Sequence, residues 1–400
     1  MALGPVDVLP ATYNPFTKDI SKSFDRHEQF KASLLRISPL VSIDRVKDQL
    51  LFIGAWLRFY QEAEEAGILN FVLARSVYRF ELWLKHVVIE RTGPLQPCEL
   101  PPFDVAMMLH ACMLSPRRHY EDGLVRFPQL LEIGAFPLEN IAALIDSRTY
   151  IYTATTEQVK CWQERLGVPF DPLSYQEEVK DVTIRCPSCG EKLNVAWENN
   201  GCGYAESDFL CECLRCGLSV SHDRLCVAKF IKDLTNAYSS DQATLRGTLL
   251  NDRGEVVLAR ARLIALQVAK VLREEDGSLP ALSETSMSVI LQRLYDSVQT
   301  KAGQDRITEL LRPYMQATSF THDLAKAVPA LRQFHLDLMA TGICSPAFLS
   351  GHCNELSVAY KKYEAFLELI ASPEGIESAV PSPDLDLVWH THQLSGLSYK

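Results

Sequence analysis

Apolar residues recur at helical spacing along most of the chain. Between Val46 and Tyr60, and again between Leu69 and Val87, they fall on one helix face, and Gly67 separates the two series. This spacing predicts two amphipathic helices joined by a tight turn. Further helical series are predicted at 263–271, 287–298, 324–338 and 356–370.

Strand-like alternation is confined largely to two short segments, 181–185 and 217–221, which flank a cysteine-rich stretch. We therefore predict a mainly α fold, a multi-helix bundle with two related helical units and an inserted β-rich zinc ribbon. The expected divisions are an extended arm (1–40), an N-terminal helical unit (41–180), the zinc ribbon (181–226) and a C-terminal helical unit (227–400).

The two ends of the chain resemble each other. The apolar helix face that contains Phe80 aligns with the face that contains Tyr363. The segment PPFDVAMMLHACMLS at 101–115 aligns with PSPDLDLVWHTHQLS at 381–395. The identical pairs include Asp104 with Asp384 and His110 with His390. This pattern predicts that one helical unit occurs twice.

The shared aspartates and histidines have simple structural explanations. Proline precedes Asp104 and Asp384 by a few residues and an apolar helix follows, so both aspartates are predicted helix N-caps. For His110 and His390 we favour packing and hydrogen bonding over a ligand role.

Cysteine spacing gives the most specific chemical signal. Seven of the 12 cysteines lie between Cys186 and Cys226, which indicates metal binding in a reducing compartment rather than a disulfide scaffold. The motifs CPSCG and CLRCG place Cys186, Cys189, Cys213 and Cys216 in two C-x-x-C-G turns. Four thiolates complete a tetrahedral zinc shell without an open position, so the predicted Zn²⁺ is structural.

Two alternatives concern the same segment. Cys211 lies close enough to the second turn to replace Cys213 as a ligand. Alternatively, a second site could be formed by Cys202, Cys211, His222 and Cys226. The simpler interpretation is that His222 begins a helix in which Cys226 is buried.

Charge argues against nucleic-acid binding. The chain has 50 acidic and 40 basic residues, and the segment 185–226 is itself acidic. A zinc ribbon that binds nucleic acid needs a basic face, so this alternative is disfavoured and protein partners are expected. The sequence shows neither a secretory leader nor an apolar run of about 18 residues, which predicts a soluble cytoplasmic or nuclear protein with no membrane partner.

A second possible metal site lies in DLDLVWHTH. Asp386 and His390 are four residues apart and can meet on one helix face, whereas His392 points elsewhere. Together with His335 and Asp337, these side chains have the residue types of an iron-dependent oxygenase. A metalloenzyme is therefore an alternative, although the common catalytic signatures are absent and we lean towards a protein that is not an enzyme.

The repeated segments resemble the glycine-rich domain-containing-protein-like family of plants and fungi, whose hallmark is D-x-x-W-H-x-H-x-L. Residues 386–394 fit this hallmark, and in the first copy Leu109 and Cys112 replace the Trp and the second His. The C-x-x-C pair followed by His222 and Asp223 is similar to an insertion in fungal members. The resemblance implies no catalytic residue, because the activity of the family is not established. Since members tend to continue past this segment, we expect the chain to be truncated at its C-terminus.

These observations favour a noncatalytic intracellular scaffold or interaction protein in which the zinc ribbon is a rigid surface element.

Overall fold

The computed structural model describes residues 40–88, 95–240, 242–351, 354–371 and 380–399. Nearly all of the expected arm at 1–40 lies outside these residues. The described chain is mostly helical and contains two small antiparallel two-stranded sheets, which confirms the predicted mainly α class.

The structure gives the following element bounds. The helices of the N-terminal part are α1 (Ile43–Glu65), α2 (Leu69–His86), α3 (Phe103–Met113), α4 (Pro116–Val125), α5 (Pro128–Ile133), α6 (Leu138–Ala142), α7 (Thr156–Leu166) and α8 (Pro172–Glu178). The strands are β1 (Asp181–Arg185), β2 (Lys192–Ala196), β3 (Leu210–Glu212) and β4 (Ser219–Ser221). The later helices are α9 (His222–Ser239), α10 (Leu258–Leu272), α11 (Met287–Asp296), α12 (Lys301–Leu311), α13 (Leu324–Ala330), α14 (Arg332–Ala340), α15 (Pro346–Ser350), α16 (Asn354–Ala371) and α17 (Pro383–Gln393). Short 3-10 turns occur at Pro97–Glu99, Arg312–Tyr314 and Gly396–Ser398.

The first predicted helix pair is confirmed. Helix α1 begins after Ser42, whose hydroxyl accepts a 3.1 Å hydrogen bond from the Arg45 amide. The chain then turns at Gly67, which has a φ of +69° that a β-carbon would disfavour. Sequence spacing located both helices because each presents a continuous apolar face to the core.

The predicted single helix over 324–338 is wrong, because the structure has two helices there. Helix α13 contains Pro329 and ends at Ala330, and α14 begins at Arg332. Proline has no amide hydrogen to donate within a helix, which explains the interruption. Apolar spacing does not reveal such a break, since both halves bury residues in the same core.

The prediction that Asp104 and Asp384 are N-caps is also wrong. The N-caps are Pro102 for α3 and Ser382 for α17, so each aspartate lies at the second helical position. Arg79 Nε donates to Asp104 Oδ2 at 2.8 Å. Lys362 Nζ donates to Asp384 Oδ2 at 2.7 Å. A cationic side chain from the preceding helix therefore binds each carboxylate.

Buried apolar residues form three clusters. The main core draws on residues 41–170 and 320–394, a second core on 226–314, and a small third core lies in the β-rich segment. Both end segments of the described chain therefore share one core. The domain boundaries expected from the sequence remain predictions.

Specific contacts join the two end segments. Arg45 Nη2 donates to the carbonyls of Phe136, at 3.1 Å, and Leu394, at 3.3 Å. The Phe136 amide also donates to the Leu394 carbonyl at 2.8 Å.

Within the N-terminal part, Gly54 of α1 faces the ring of Tyr150, so closely that a β-carbon at Gly54 would overlap the ring.

Candidate metal centre

The cysteine-rich segment forms two hairpins of the same design. Strand β1 pairs with β2, and Cys186 and Cys189 lie in the turn between them. Strand β3 pairs with β4, and Cys213 and Cys216 lie in the corresponding turn. The predicted strand segments are confirmed, and the structure adds β2 and β3 as their partners.

The two turns share their backbone hydrogen bonds. In the first turn the Gly190 amide donates to the Cys186 carbonyl at 2.9 Å, and in the second the Gly217 amide donates to the Cys213 carbonyl at 2.8 Å. Both glycines have positive φ, +74° and +71°. The glycine after each second cysteine therefore allows the chain to curl around the sulfurs.

The four sulfur atoms converge. The Sγ atoms of Cys186 and Cys216 are 3.6 Å apart, and those of Cys189 and Cys213 are 3.5 Å apart. All four lie within 4.8 Å of one another. This cluster could hold a metal ion, and four thiolates are a ligand set that soft or borderline metals prefer.

The two further residues considered as ligands lie beside this cluster. Cys211 is in β3, opposite Val220 of β4. His222 begins α9, as its position after Ser221 suggested, and its ring packs against Tyr204 and Phe209 with centroids 5.2 and 4.9 Å away. Burial lowers the pKa of His222. Neither residue belongs to the set of four that converges.

Asp386 and His390 meet on α17, as their spacing predicted. Asp386 Oδ1 lies 3.6 Å from His390 Nε2, and burial raises the pKa of Asp386. His392 points away from this pair and its Nδ1 shares a 2.7 Å hydrogen bond with the Tyr363 hydroxyl. His335 is buried, whereas Asp337 is exposed on another face of α14. The side chains of the facial-triad alternative therefore do not converge.

An association that the sequence did not reveal brings His110, His335 and His390 into the main core. The ring centroids of His110 and His335 are 6.4 Å apart. Burial lowers the pKa of His110 to about 3, and the neighbouring His390 contributes in the same direction. For His335, burial together with His110 and His390 also lowers the pKa. We therefore expect these two imidazoles to be neutral at pH 7.

A family model named "glycine-rich domain-containing protein-like" matches residues 280–400. This match confirms the resemblance to that family. The matched region includes α14, which carries His335, and α17, which carries His390. No curated protein and no solved structure matches the chain.

Helix length and polarity also bear on membrane association. Within the described residues, no helix combines the length and the apolar character that crossing a membrane would require.

Proposed function

We propose that the four cysteines bind a structural zinc ion in a noncatalytic interaction protein. The convergence of the four sulfurs within 4.8 Å is the observation that supports this proposal. In a zinc tetrathiolate with Zn–S distances of about 2.3 Å, neighbouring sulfurs are about 3.8 Å apart. The separations of 3.5 and 3.6 Å are close to that value. With all four positions taken by protein, the ion has no free site for a substrate.

The ion would act as a clip between the two hairpins. The hairpins belong to separate two-stranded sheets, and their shared core is small. Zinc bound by cysteines can supply about 10–16 kcal/mol of apparent binding free energy, enough to order a segment of this size. The domain boundaries 181–226 for this ribbon belong to the same proposal.

The two hairpins contact α2 on one side and continue into α9 on the other. Trp197 is buried and its ring meets Tyr78 of α2 edge to face, with centroids 5.7 Å apart. The Arg75 guanidinium lies 5.5 Å from the Trp197 ring centroid, over its face. At the other end, β4 leads directly into α9, which contributes to the second core. Zinc would thereby fix how the second core joins α2.

Two exposed leucines favour a protein partner. Leu214, between the ligands Cys213 and Cys216, is 96% exposed, and Leu210 is 55% exposed. One of the nearby basic residues, Arg215, forms an ion pair with Glu191 at 3.2 Å. An apolar tip on an acidic segment suits a protein surface better than a phosphate backbone. Cytoplasm or nucleus fits this proposal, because thiols stay reduced there.

We also infer that the two ends of the chain are related units. The ion pair of Arg79 with Asp104 and that of Lys362 with Asp384 occupy matching positions. Phe52 lies 4.8 Å from His110, and Phe334 lies 4.8 Å from His390, between ring centroids. The ion pairs at aligned positions support a duplication, and each of the two histidines also has a phenylalanine ring at the same distance.

Metal analysis tests the zinc clip. We expect the double variant Cys186→Ser/Cys213→Ser of the full chain to contain one zinc ion per chain fewer than the wild type. Cys202→Ser, which removes an exposed cysteine of the same segment, is the matched control and should keep the wild-type zinc content. Equal zinc content in the double variant and the wild type would contradict the proposal.

A comparison of bound proteins tests the interaction role. The variant Leu214→Ser should keep its zinc and lose at least one protein that the wild type retains from a cell extract, as measured by quantitative mass spectrometry. Leu263→Ser, which changes a leucine of α10 that is 61% exposed, should retain that protein. If the wild type and Leu214→Ser retained the same proteins, a role of Leu214 in partner binding would be refuted.

A further inference from the structure

Three histidines from separate helices are buried among residues of the main core. His110 comes from α3, His335 from α14 and His390 from α17. Their exposed fractions are 0%, 0% and 4%. Histidine is only intermediate in its tendency to be buried, so three buried together need a physical explanation.

Several ring nitrogens in this group have no hydrogen-bond partner. They are Nδ1 of His110, Nδ1 and Nε2 of His335, and Nδ1 of His390. A neutral imidazole has one N–H donor and one acceptor lone pair. Leaving a buried polar group unsatisfied costs roughly 1–3 kcal/mol. The arrangement is therefore costly unless another group binds these nitrogens.

The Nε2 atom of His110 contacts Gln49, which is not one of the three histidines. His110 Nε2 lies 2.8 Å from the side-chain nitrogen of Gln49, while Gln49 Oε1 is buried without a partner. The amide oxygen and nitrogen have nearly the same shape, and with the two exchanged Oε1 accepts a hydrogen bond from the Nε2–H group. The lone pair of His110 then resides on Nδ1.

His390 is arranged in the same way. Its Nε2 faces Asp386 Oδ1 at 3.6 Å, and its Nδ1 is without a partner. Histidines that bind metals usually donate their second ring N–H to a carboxylate or carbonyl oxygen, which fixes the tautomer and orients the ring. Gln49 is at hydrogen-bond distance for this purpose, and Asp386 would reach it by moving a few tenths of an ångström closer to His390.

We propose that His110, His335 and His390 bind one divalent transition-metal ion of the zinc type, at a second site distinct from the four cysteines. Imidazole nitrogen suits such ions, whereas Mg²⁺ and Ca²⁺ prefer oxygen ligands. The ion would satisfy one nitrogen from each ring and join three helices from both ends of the chain. Because the histidines are buried, its role would be structural rather than catalytic.

Ion binding requires the three rings to move closer together. Among the described residues, the four cysteines form the group whose ligand atoms already lie within 4.8 Å of one another. The centroids of His110 and His335 are 6.4 Å apart. Around a tetrahedral ion with metal–nitrogen distances of about 2.1 Å, ring centroids are about 5 Å apart. A movement of roughly 1 Å, by ring rotation and small helix shifts, would close the gap between these two rings, and His390 would have to approach them as well.

Titration of the metal-free, reduced full chain with Co²⁺ tests the proposal. Cobalt bound by cysteines has sulfur-to-metal charge-transfer absorption, and cobalt bound by histidines alone does not. We expect two Co²⁺ ions per chain in the wild type, one of each kind. The variants His335→Gln and His390→Gln should bind only the ion with thiolate absorption.

Matched variants separate ligand loss from misfolding. His392→Gln changes a neighbouring buried histidine of α17 and should still bind both ions. Asp386→Asn and Gln49→Leu keep all three imidazoles and should weaken binding of the second ion about 10–100-fold. A wild-type chain that binds only the thiolate-bound ion would overturn the proposal. So would a second ion that binds His335→Gln and His390→Gln with wild-type affinity.

Discussion

Arg79 and Asp104 form an ion pair inside the protein, with their side chains each 1% exposed and Nε and Oδ2 separated by 2.8 Å. Asp104 also accepts a 3.0 Å hydrogen bond from the Ser76 hydroxyl. Removing one partner of such a pair leaves the other charge buried. We expect Asp104→Ala to reduce the free energy of unfolding by about 3–5 kcal/mol, measured by urea denaturation.

The equivalent pair near the C-terminus provides the comparison. The side chains of Lys362 and Asp384 are 38% and 36% exposed, so water screens their attraction. The variant Asp384→Ala should therefore lose only about 0–1 kcal/mol. Equal losses for the two alanine variants would show that burial does not distinguish the pairs.

Close packing at Gly54 predicts a strong steric effect. A β-carbon there would overlap the Tyr150 ring, and the Tyr150 hydroxyl is itself fixed by a hydrogen bond to the Cys344 carbonyl. We expect Gly54→Ala to lower the free energy of unfolding by about 1–3 kcal/mol, measured by urea denaturation.

The sign of this effect should reverse when the ring is absent. In a Tyr150→Ala background, Gly54→Ala should raise the free energy of unfolding by about 0.5–1 kcal/mol, because alanine is the better helix former. A double-mutant cycle measures this coupling. The same destabilisation with and without the ring would rule out the steric explanation.

Buried His119 predicts a loss of stability in acid. Burial lowers its pKa to about 4, although a hydrogen bond to the Leu130 backbone acts in the opposite direction. In the unfolded chain the pKa is about 6.5, so the unfolded state takes up a proton first as the pH falls. The stabilisation is complete above pH 6.5 and is lost towards pH 4. Between pH 7.5 and pH 5 the loss should be about 2 kcal/mol.

Comparison with His119→Gln isolates this contribution. Urea denaturation of both proteins at several pH values should show the stability difference between wild type and variant shrinking by about 2 kcal/mol over that interval. Parallel curves would indicate that His119 titrates alike in the folded and unfolded chains.

Zinc removal should unfold one region and spare another. We expect a chelator to increase amide hydrogen exchange in β1 to β4, because their small core cannot order them alone. Amides of α1 and α3 should remain protected, since both helices lie in the separate main core. Mass spectrometry of peptides would measure both effects. If zinc removal increased amide hydrogen exchange in α3 as much as in β1 to β4, a local stabilising role of the zinc ion would be contradicted.

Sequence reasoning located features with local signals. Helix faces, the turn at Gly67 and the two cysteine turns follow from spacing over a few residues, and the structure has all of them. Apart from the break after Pro329, which apolar spacing alone does not show, it failed where distant groups decide the outcome. Arg79 binds Asp104 across two helices, so the capping rule applied to Asp104 was misleading. The proximity of His335 to His110 depends on where the packing of the core places α14 relative to α3, and spacing along the chain carries no information about that placement.

The shared core of the two end segments has a consequence for synthesis on the ribosome. Helices α1 to α3 emerge early, yet part of their apolar surface is covered only by residues after 320. During translation that surface remains exposed to water until more than two hundred further residues have been synthesised. The second core, built from 226–314, can form during this interval. The nascent chain therefore depends on protection from aggregation until the helices after residue 320 cover that surface.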